Sequence, residues 1–158
     1  MPKRTASTVP PAVGMGKRGP DGHIGYLLRQ AQAAVRHAHD VALAEAGLTT
    51  PQFLVLNLLD AYPGASGAEL ARSAQRTPQT MNLIVRKLER ERLIARDEHE
   101  THGRVLRLTL TAEGTARLRK GKIVSDKIER RILALAEADT ERKLRRWLVD
   151  VAVALMGA

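Results

Sequence analysis

The sequence predicts a mainly α-helical chain with a small β-wing, and three observations carry that prediction. Two helix-start signals, Ser66-Gly67-Ala68-Glu69 and Thr77-Pro78-Gln79-Thr80, lie so close that only a few residues separate the helices they open. Leu106, Leu108 and Leu110 alternate with Arg107, Thr109 and Thr111, the period of a strand with one buried face. Apolar residues at spacings of three and four recur on either side of this middle region.

Residues 1–22 contain Pro2, Pro10, Pro11 and Pro20 among Gly, Ser and Thr, with Lys3, Arg4, Lys17 and Arg18 as the charges before Asp21. That composition predicts a disordered basic arm, either an extra DNA contact or a solubilising tail. Residues 23–48 form the first helix: Ile24, Leu27, Leu28, Ala31, Ala34, Val35, Ala38, Val41 and Ala42 share a stripe that Gly47 ends. Thr50-Pro51 starts the second helix, with the Thr50 hydroxyl expected to cap it and proline losing nothing at the first helical position. That helix carries Phe53, Leu54, Leu56, Leu58 and Leu59 and stops before Pro63-Gly64.

Ser66 to Glu69 has the form of a capping box, opening a short helix that ends near Gln75 with Leu70 and Ala71 inward. Thr77-Pro78 opens the next, which places Met81, Ile84, Val85 and Leu88 on one face. Two helices so closely spaced are the sequence form of a helix-turn-helix. The short apolar run Leu93-Ile94-Ala95-Arg96, a wholly polar stretch from Asp97 to Gly103, and the alternating strand then make a hairpin, or wing. Residues 49–111 are thus predicted to be a winged helix-turn-helix. Residues 112–158 return to helix, with Leu118, Val124, Ile128, Ile132 and Leu135 on one stripe; Asp139 or Thr140 is expected to cap a last helix bearing Leu144, Leu148, Val151 and Leu155.

With about 100° of rotation per residue, the helix that buries Met81, Ile84, Val85 and Leu88 turns Gln79, Asn82, Leu83, Arg86 and Arg90 outward. Gln and Asn match adenine bidentately and Arg matches guanine, while Leu83 suits a thymine methyl group. Thr77 and Thr80 open the same helix, and Arg72, Arg76 and Lys87 flank the face as candidate phosphate contacts. An ordinary solvated helix surface is the alternative for such a face taken alone; the capped helix before it and the wing after it favour DNA. Arg104, where the polar loop re-enters its second strand, is placed to enter a minor groove or to pair with Glu98 or Glu100.

Composition bounds the rest. A chain of 158 residues has the size of one domain, with little left for a separate catalytic module. It carries 26 Lys+Arg against 17 Asp+Glu, a net charge of +9, which favours an anionic partner, either nucleic acid or an acidic membrane surface. The absence of cysteine excludes disulfides, thiolate metal sites and thiol-based sensing. Aromatics at 3% argue against stacking on single strands and leave duplex DNA as the better partner. No apolar run approaches the roughly 20 residues of a membrane span, and the N-terminus lacks the apolar core of a signal peptide, so a cytoplasmic, nucleoid-associated location is expected. No glycine-rich phosphate loop, no Gly-x-Ser-x-Gly elbow and no clustered acid pair on a pocket-forming pattern is present, so neither catalysis nor a cofactor is expected.

The segments "LTTPQFLVLNLL", "SGAELARSAQRTPQTMNLIVRKLERERLI" and "LRLTLTAEG" resemble the MarR family of bacterial regulators, and the resemblance runs from about Ile24 to Met156. It implies a homodimer in which residues 23–48 and 112–158 interlock as the dimerisation region. It also implies recognition helices in successive major grooves of a pseudo-palindromic site, with half-sites about one turn apart. By the same resemblance Arg104 matches a wing arginine that reaches the minor groove, and an effector, a small aromatic or phenolic acid, binds between the dimer helices and the winged domain. His37 or His39 is then the candidate ligand contact, with a buried structural histidine as the alternative. Where the family carries acidic wing residues this chain has His99 and His102, which makes the wing a place for pH response at about pH 6.5. Arg92 replaces the glycine that follows the recognition helix, and Leu83 replaces a common arginine. His99 and His102, with Glu100 between them, have a chelating spacing but too few ligands for zinc, so they read as polar wing residues and no metal is expected. The implied function is a ligand-responsive repressor that a small molecule releases by fixing a half-site spacing DNA cannot match. The alternative is an architectural winged-helix protein without operator specificity.

Overall fold

The computed structural model describes residues 9–98 and 106–156. The chain divides into two units, Met1–Ala38 and His39–Ala158. In the first, a 3-10 helix at Gly16–Arg18 precedes α1 (Ile24–Glu45), which continues into the second unit. Residues 9–22, placed by the sequence in a disordered arm, differ from that expectation in having a hydrogen-bonded path. Arg18 Nε donates to Gln30 Oε1 at 3.2 Å and its Nη1 to the Pro11 carbonyl at 3.1 Å, while Gln30 Nε2 returns a bond to the Arg18 carbonyl at 3.2 Å. Composition forecasts disorder from the lack of a core; it does not register a guanidinium tied to a helix side chain.

The second unit holds α2 (Thr50–Ala61), α3 (Gly67–Ser73), α4 (Pro78–Arg90), β1 (Ile94–Glu98), β2 (Leu106–Leu110), α5 (Ala112–Leu133) and α6 (Ala138–Met156). Each helix from α2 to α5 begins at a side chain that accepts from a free backbone amide. The cap of α2 is Thr49, not Thr50: Thr49 accepts from the Gln52 amide, and the Gln52 side chain completes a capping box. Thr50 is the first helical residue, and its hydroxyl donates to Asp40 Oδ1 at 2.6 Å. Ser66 with Glu69 forms the box expected for α3, and Thr77 followed by Pro78 the cap expected for α4.

Three helices end alike. After α1 the Leu48 amide bonds to the Leu43 carbonyl and Gly47 takes a φ of +66°; the Arg76 and Leu93 amides close α3 and α4 in the same way, on Ala71 and Leu88. This termination requires a left-handed residue, which glycine adopts freely. Gln75 (φ +51°) and Arg92 (φ +57°) fill that place after α3 and α4.

The sheet is a two-stranded antiparallel hairpin in which Ile94 pairs with Leu110 and Arg96 with Leu108. Mutual bonds from Gly64 N to Leu108 O (3.0 Å) and from Leu108 N to Ala65 O (3.3 Å) add the turn before α3 to its edge. Leu43, Leu56, Leu59, Leu70, Met81, Leu88, Leu93 and Leu108 are fully buried and form one core with Val55, Val85 and Leu118. That core is built from the end of α1, from α2 to α5 and from the hairpin, and it fixes the helix-turn-helix against the wing.

The last helix starts at Ala138, so Asp139 lies inside its first turn, where it pairs with Lys143 (2.6 Å) and Arg142 (3.3 Å) rather than capping. The stripe of α5 is buried at Leu118 and Ile128 but exposed at Ile132 and, beyond the helix, Leu135; Leu144, Trp147, Leu148, Val149, Val153 and Leu155 of α6 are exposed as well. Among the described residues no single helix is long and apolar enough to cross a membrane.

Candidate nucleic-acid interface

The spacing of buried residues on α4 sets what it shows to solvent. Met81, Val85 and Leu88 are buried and Ile84 is half-buried, which turns Gln79, Thr80, Asn82, Leu83, Arg86, Lys87 and Arg90 outward, and all seven are exposed. Leu83 is 70% exposed, an apolar side chain in a polar row. Thr77 is exposed at the head of the helix, where its hydroxyl accepts from the Thr80 amide (3.2 Å) and donates to the Thr80 hydroxyl (2.9 Å). Arg72 and Arg76, in the last turn of α3 and in the turn before α4, are exposed too.

The charges on this surface are mostly uncompensated. Among the described residues Arg72, Arg76, Arg86 and Arg90 have no ion-pair partner, and Lys87 Nζ stands 3.9 Å from Glu91 Oε1. The acidic residue inside α4, Glu89, is neutralised by Arg96 of β1 through two bonds of 2.6 and 2.9 Å, a fork-to-carboxylate pair that also ties the wing to the helix. At the head of α3 the Ser66 amide and hydroxyl both bind the Glu69 carboxylate and hold it below the usual carboxylate range. A helix row of amide and guanidinium groups, with Arg72 and Arg76 beside it, is suited to base edges flanked by phosphates.

Arg107 braces the wing from the other side by donating from Nη1 to the Gly64 carbonyl at 2.9 Å. The tip of the wing, with His99, Glu100, His102 and Arg104, lies outside the described residues. Among the described residues no group of three His, Asp or Glu side chains is placed to hold a metal ion.

His37 is exposed, whereas His39 is half-buried with its Nε2 3.1 Å from the Ser125 hydroxyl of α5. A cavity of about 280 Å³ opens between α2, α3 and β2, with Leu58, Tyr62, Ala65 and Leu70 as apolar walls and Glu69 and Arg107 as its charged groups. Neither histidine lines it.

Sequence reasoning missed the Arg96–Glu89 pair, the Arg107 brace and a part-buried hydrogen bond from Gln52 to Glu91 (2.8 Å). The first joins residues across the bend from α4 into β1 and the second joins residues 43 positions apart, and no periodicity reports either. The third had half a signal, because Thr49 and Gln52 have capping-box spacing.

Known proteins share this arrangement. The family model described as MarR family matches residues 46–105, from the end of α1 to the wing. The HTH-type transcriptional repressor Rv2887 of Mycobacterium tuberculosis is 41% identical over 128 residues, covering 81% of this chain and 92% of that protein. The chain belongs to the MarR family.

Solved structures agree with the assignment. The Mycobacterium tuberculosis MarR family protein Rv2887 in complex with DNA superposes with a TM-score of 0.69 at 38% identity, covering 83% of this chain and 98% of that one. The same protein in complex with salicylic acid gives 0.67 at 40% identity, covering 84% and 98%. The winged helix-turn-helix of this MarR-family chain, with helices before and after it, is therefore the family's fold.

Proposed function

We propose that this chain is a ligand-responsive repressor that binds, as a homodimer, a pseudo-palindromic site in double-stranded DNA. The observation that carries the proposal is the outward face of α4: Gln79, Asn82, Leu83, Arg86 and Arg90 are exposed directly behind three buried core residues. Such a row enters a major groove as a unit, with Arg86 and Arg90 available to guanine and Gln79 and Asn82 to adenine. Thr77, Thr80, Arg72, Arg76 and Lys87 are assigned to phosphates. Arg104 at the wing is assigned to the adjacent minor groove.

The relative Rv2887, solved with DNA and with salicylic acid, supports both halves of this reading. The homodimer accounts for the apolar side chains exposed along α6, among them Leu144, Trp147 and Leu148, which a lone chain leaves in water. A small aromatic or phenolic acid is the proposed effector. It releases DNA by favouring a dimer whose two reading helices are wrongly spaced for the groove, and His37 and His39 are the side chains to test for contact with it. Neither catalysis nor a cofactor is assigned, and the place of action is the cytoplasm, on the nucleoid.

Arg86→Ala tests the core of the proposal. Losing a base contact of roughly 1 to 3 kcal/mol weakens operator binding by about 5- to 150-fold per half-site while random duplex binding changes little. Equal losses on both DNAs would reduce Arg86 to a phosphate contact and leave the outer row without its reading role.

A further inference from the structure

Gln52 is the one buried polar residue among those described, 3% exposed, and it sits in the first turn of α2, away from the outward row of α4. Both ends of its amide are occupied. Oε1 accepts from the Thr49 amide and hydroxyl at 2.9 Å each, and Nε2 donates to Glu91 Oε2 at 2.8 Å. Glu91 is the C-terminal cap of α4. A carboxylate at that end faces the negative pole of the helix, which disfavours it, and the Gln52 amide offsets that by donating to it. Its other oxygen lies 3.9 Å from Lys87 Nζ, on the solvent side of the same helix.

The start of α2 is anchored on its far side as well. Thr50 donates to Asp40 of α1 at 2.6 Å, and the neighbouring His39 of α1 meets Ser125 of α5 at 3.1 Å. The end of α4 is thereby bonded to the corner where α1 passes into α2. If α4 rotated about its axis or slid along it, the Gln52 side chain, 3% exposed, would lose its carboxylate acceptor, and the cost of leaving that donor unpaired opposes the movement.

We propose that Gln52 is a positioning residue for DNA reading, acting through Glu91 to fix the rotation of α4 and to pass movements of the α1–α2 corner on to it. This deepens the proposed function, since it rests on α4 being the reading helix.

The test is an exchange of partners. Gln52→Glu keeps the capping box, because a carboxylate accepts the same two bonds from Thr49, but sets two carboxylates against each other. Adding Glu91→Gln supplies a donor from the other side and restores both the bond and the net charge. Each full-length protein is titrated by fluorescence anisotropy against a selected operator and a random duplex of equal length, with thermal unfolding run alongside. Gln52→Glu weakens operator binding about tenfold with less than about a twofold change on random DNA, and the double exchange recovers operator binding to within about twofold.

Equal losses on both DNAs, or a folded double exchange that does not recover, would overturn the assignment. If Gln52→Glu does not fold, Glu91→Ala, which leaves the capping box intact, must show the same selective loss, and its absence overturns the assignment equally. A wild-type chain with no preference for any duplex would show a different failure, that of α4 as the reading helix.

Discussion

The first turn of α5 lies against the end of the helix-turn-helix so closely that one methyl group should separate them. Gly114 donates its amide to the Thr111 hydroxyl at 2.9 Å, and a Cβ built on it would stand 1.8 Å from the Leu93 carbonyl oxygen. Contacts under 3.0 Å are essentially never seen, so in Gly114→Ala the turn must retreat by more than about 1 Å. The retreat strains the bond from Thr111 N to Leu93 O (3.1 Å) and that from the Thr111 hydroxyl to Arg92 O (2.7 Å). Two hydrogen bonds at about 1 kcal/mol each, and overpacking of about 2 kcal/mol, are offset by about 1 kcal/mol of better helix propensity. The net loss is about 3 kcal/mol, or roughly 6 to 12 °C in Tm for a chain of this size. Urea unfolding followed by far-UV circular dichroism at fixed protein concentration measures it. Gly25→Ala is the matched control, because its Cβ meets nothing within 4 Å and the same exchange should leave stability unchanged or slightly raised. If the two variants unfold together, the close approach at Leu93 is not what holds α5 against the wing.

Arg92→Gly relieves a left-handed residue after α4 and should raise stability by about 1 kcal/mol, seen as a higher urea midpoint; a lower midpoint would mean the arginine side chain contributes more than the strain costs. Glu69 has its carboxyl lowered first by the backbone bond to Ser66 and then by the side-chain bond to it, so its stabilisation is present above the ordinary carboxylate range and is lost as pH falls through the folded value. The Tm gap between wild type and Glu69→Ala should therefore close on going from about pH 7 to about pH 3, and a constant gap would separate Glu69's role from its charge. Exposed Leu83 predicts contact with a thymine methyl: replacing that thymine by uracil removes about 0.8 kcal/mol, near fourfold per half-site, and Leu83→Ala should be indifferent to the change. Equal sensitivity of both proteins would place Leu83 away from the base.

What was legible in the sequence depended on how local its cause is. The buried stripe of α4 was readable because Met81, Val85 and Leu88 recur at helical spacing, and the outward row follows from that by geometry. The caps at Ser66 and Thr77 were readable because a cap and the amide it binds are three residues apart. At α2 the same logic misplaced the cap by one residue, since adjacent threonines both have the chemistry; Gln52, three residues after Thr49, decides between them. The bond from Gln52 to Glu91 and the approach of Gly114 to Leu93 join positions whose meeting is a product of the whole core, and no window of sequence contains both partners in a recognisable pattern. The resemblance carried one of these facts without its reason: the glycine of "LTAEG" is the residue that lets α5 touch the Leu93 carbonyl.

The terminal helices show where periodicity stops being informative. Leu118 and Ile128 of α5 and Leu144 and Leu148 of α6 obey the same spacing rule, yet the first pair is buried in this chain's own structure and the second is exposed. An apolar stripe states that a face prefers to leave water; it does not state whether the covering surface lies in the same molecule. In α3 and α4 the question is settled locally, because a few residues of turn bring the helices together. For α6 the stripe stays exposed among the described residues, at Leu144, Trp147 and Leu148, and in the proposed homodimer a second copy of this chain covers it. Dimer formation and spacing of the two reading helices then draw on the same helices, which is why an effector acting there need never touch DNA to release it.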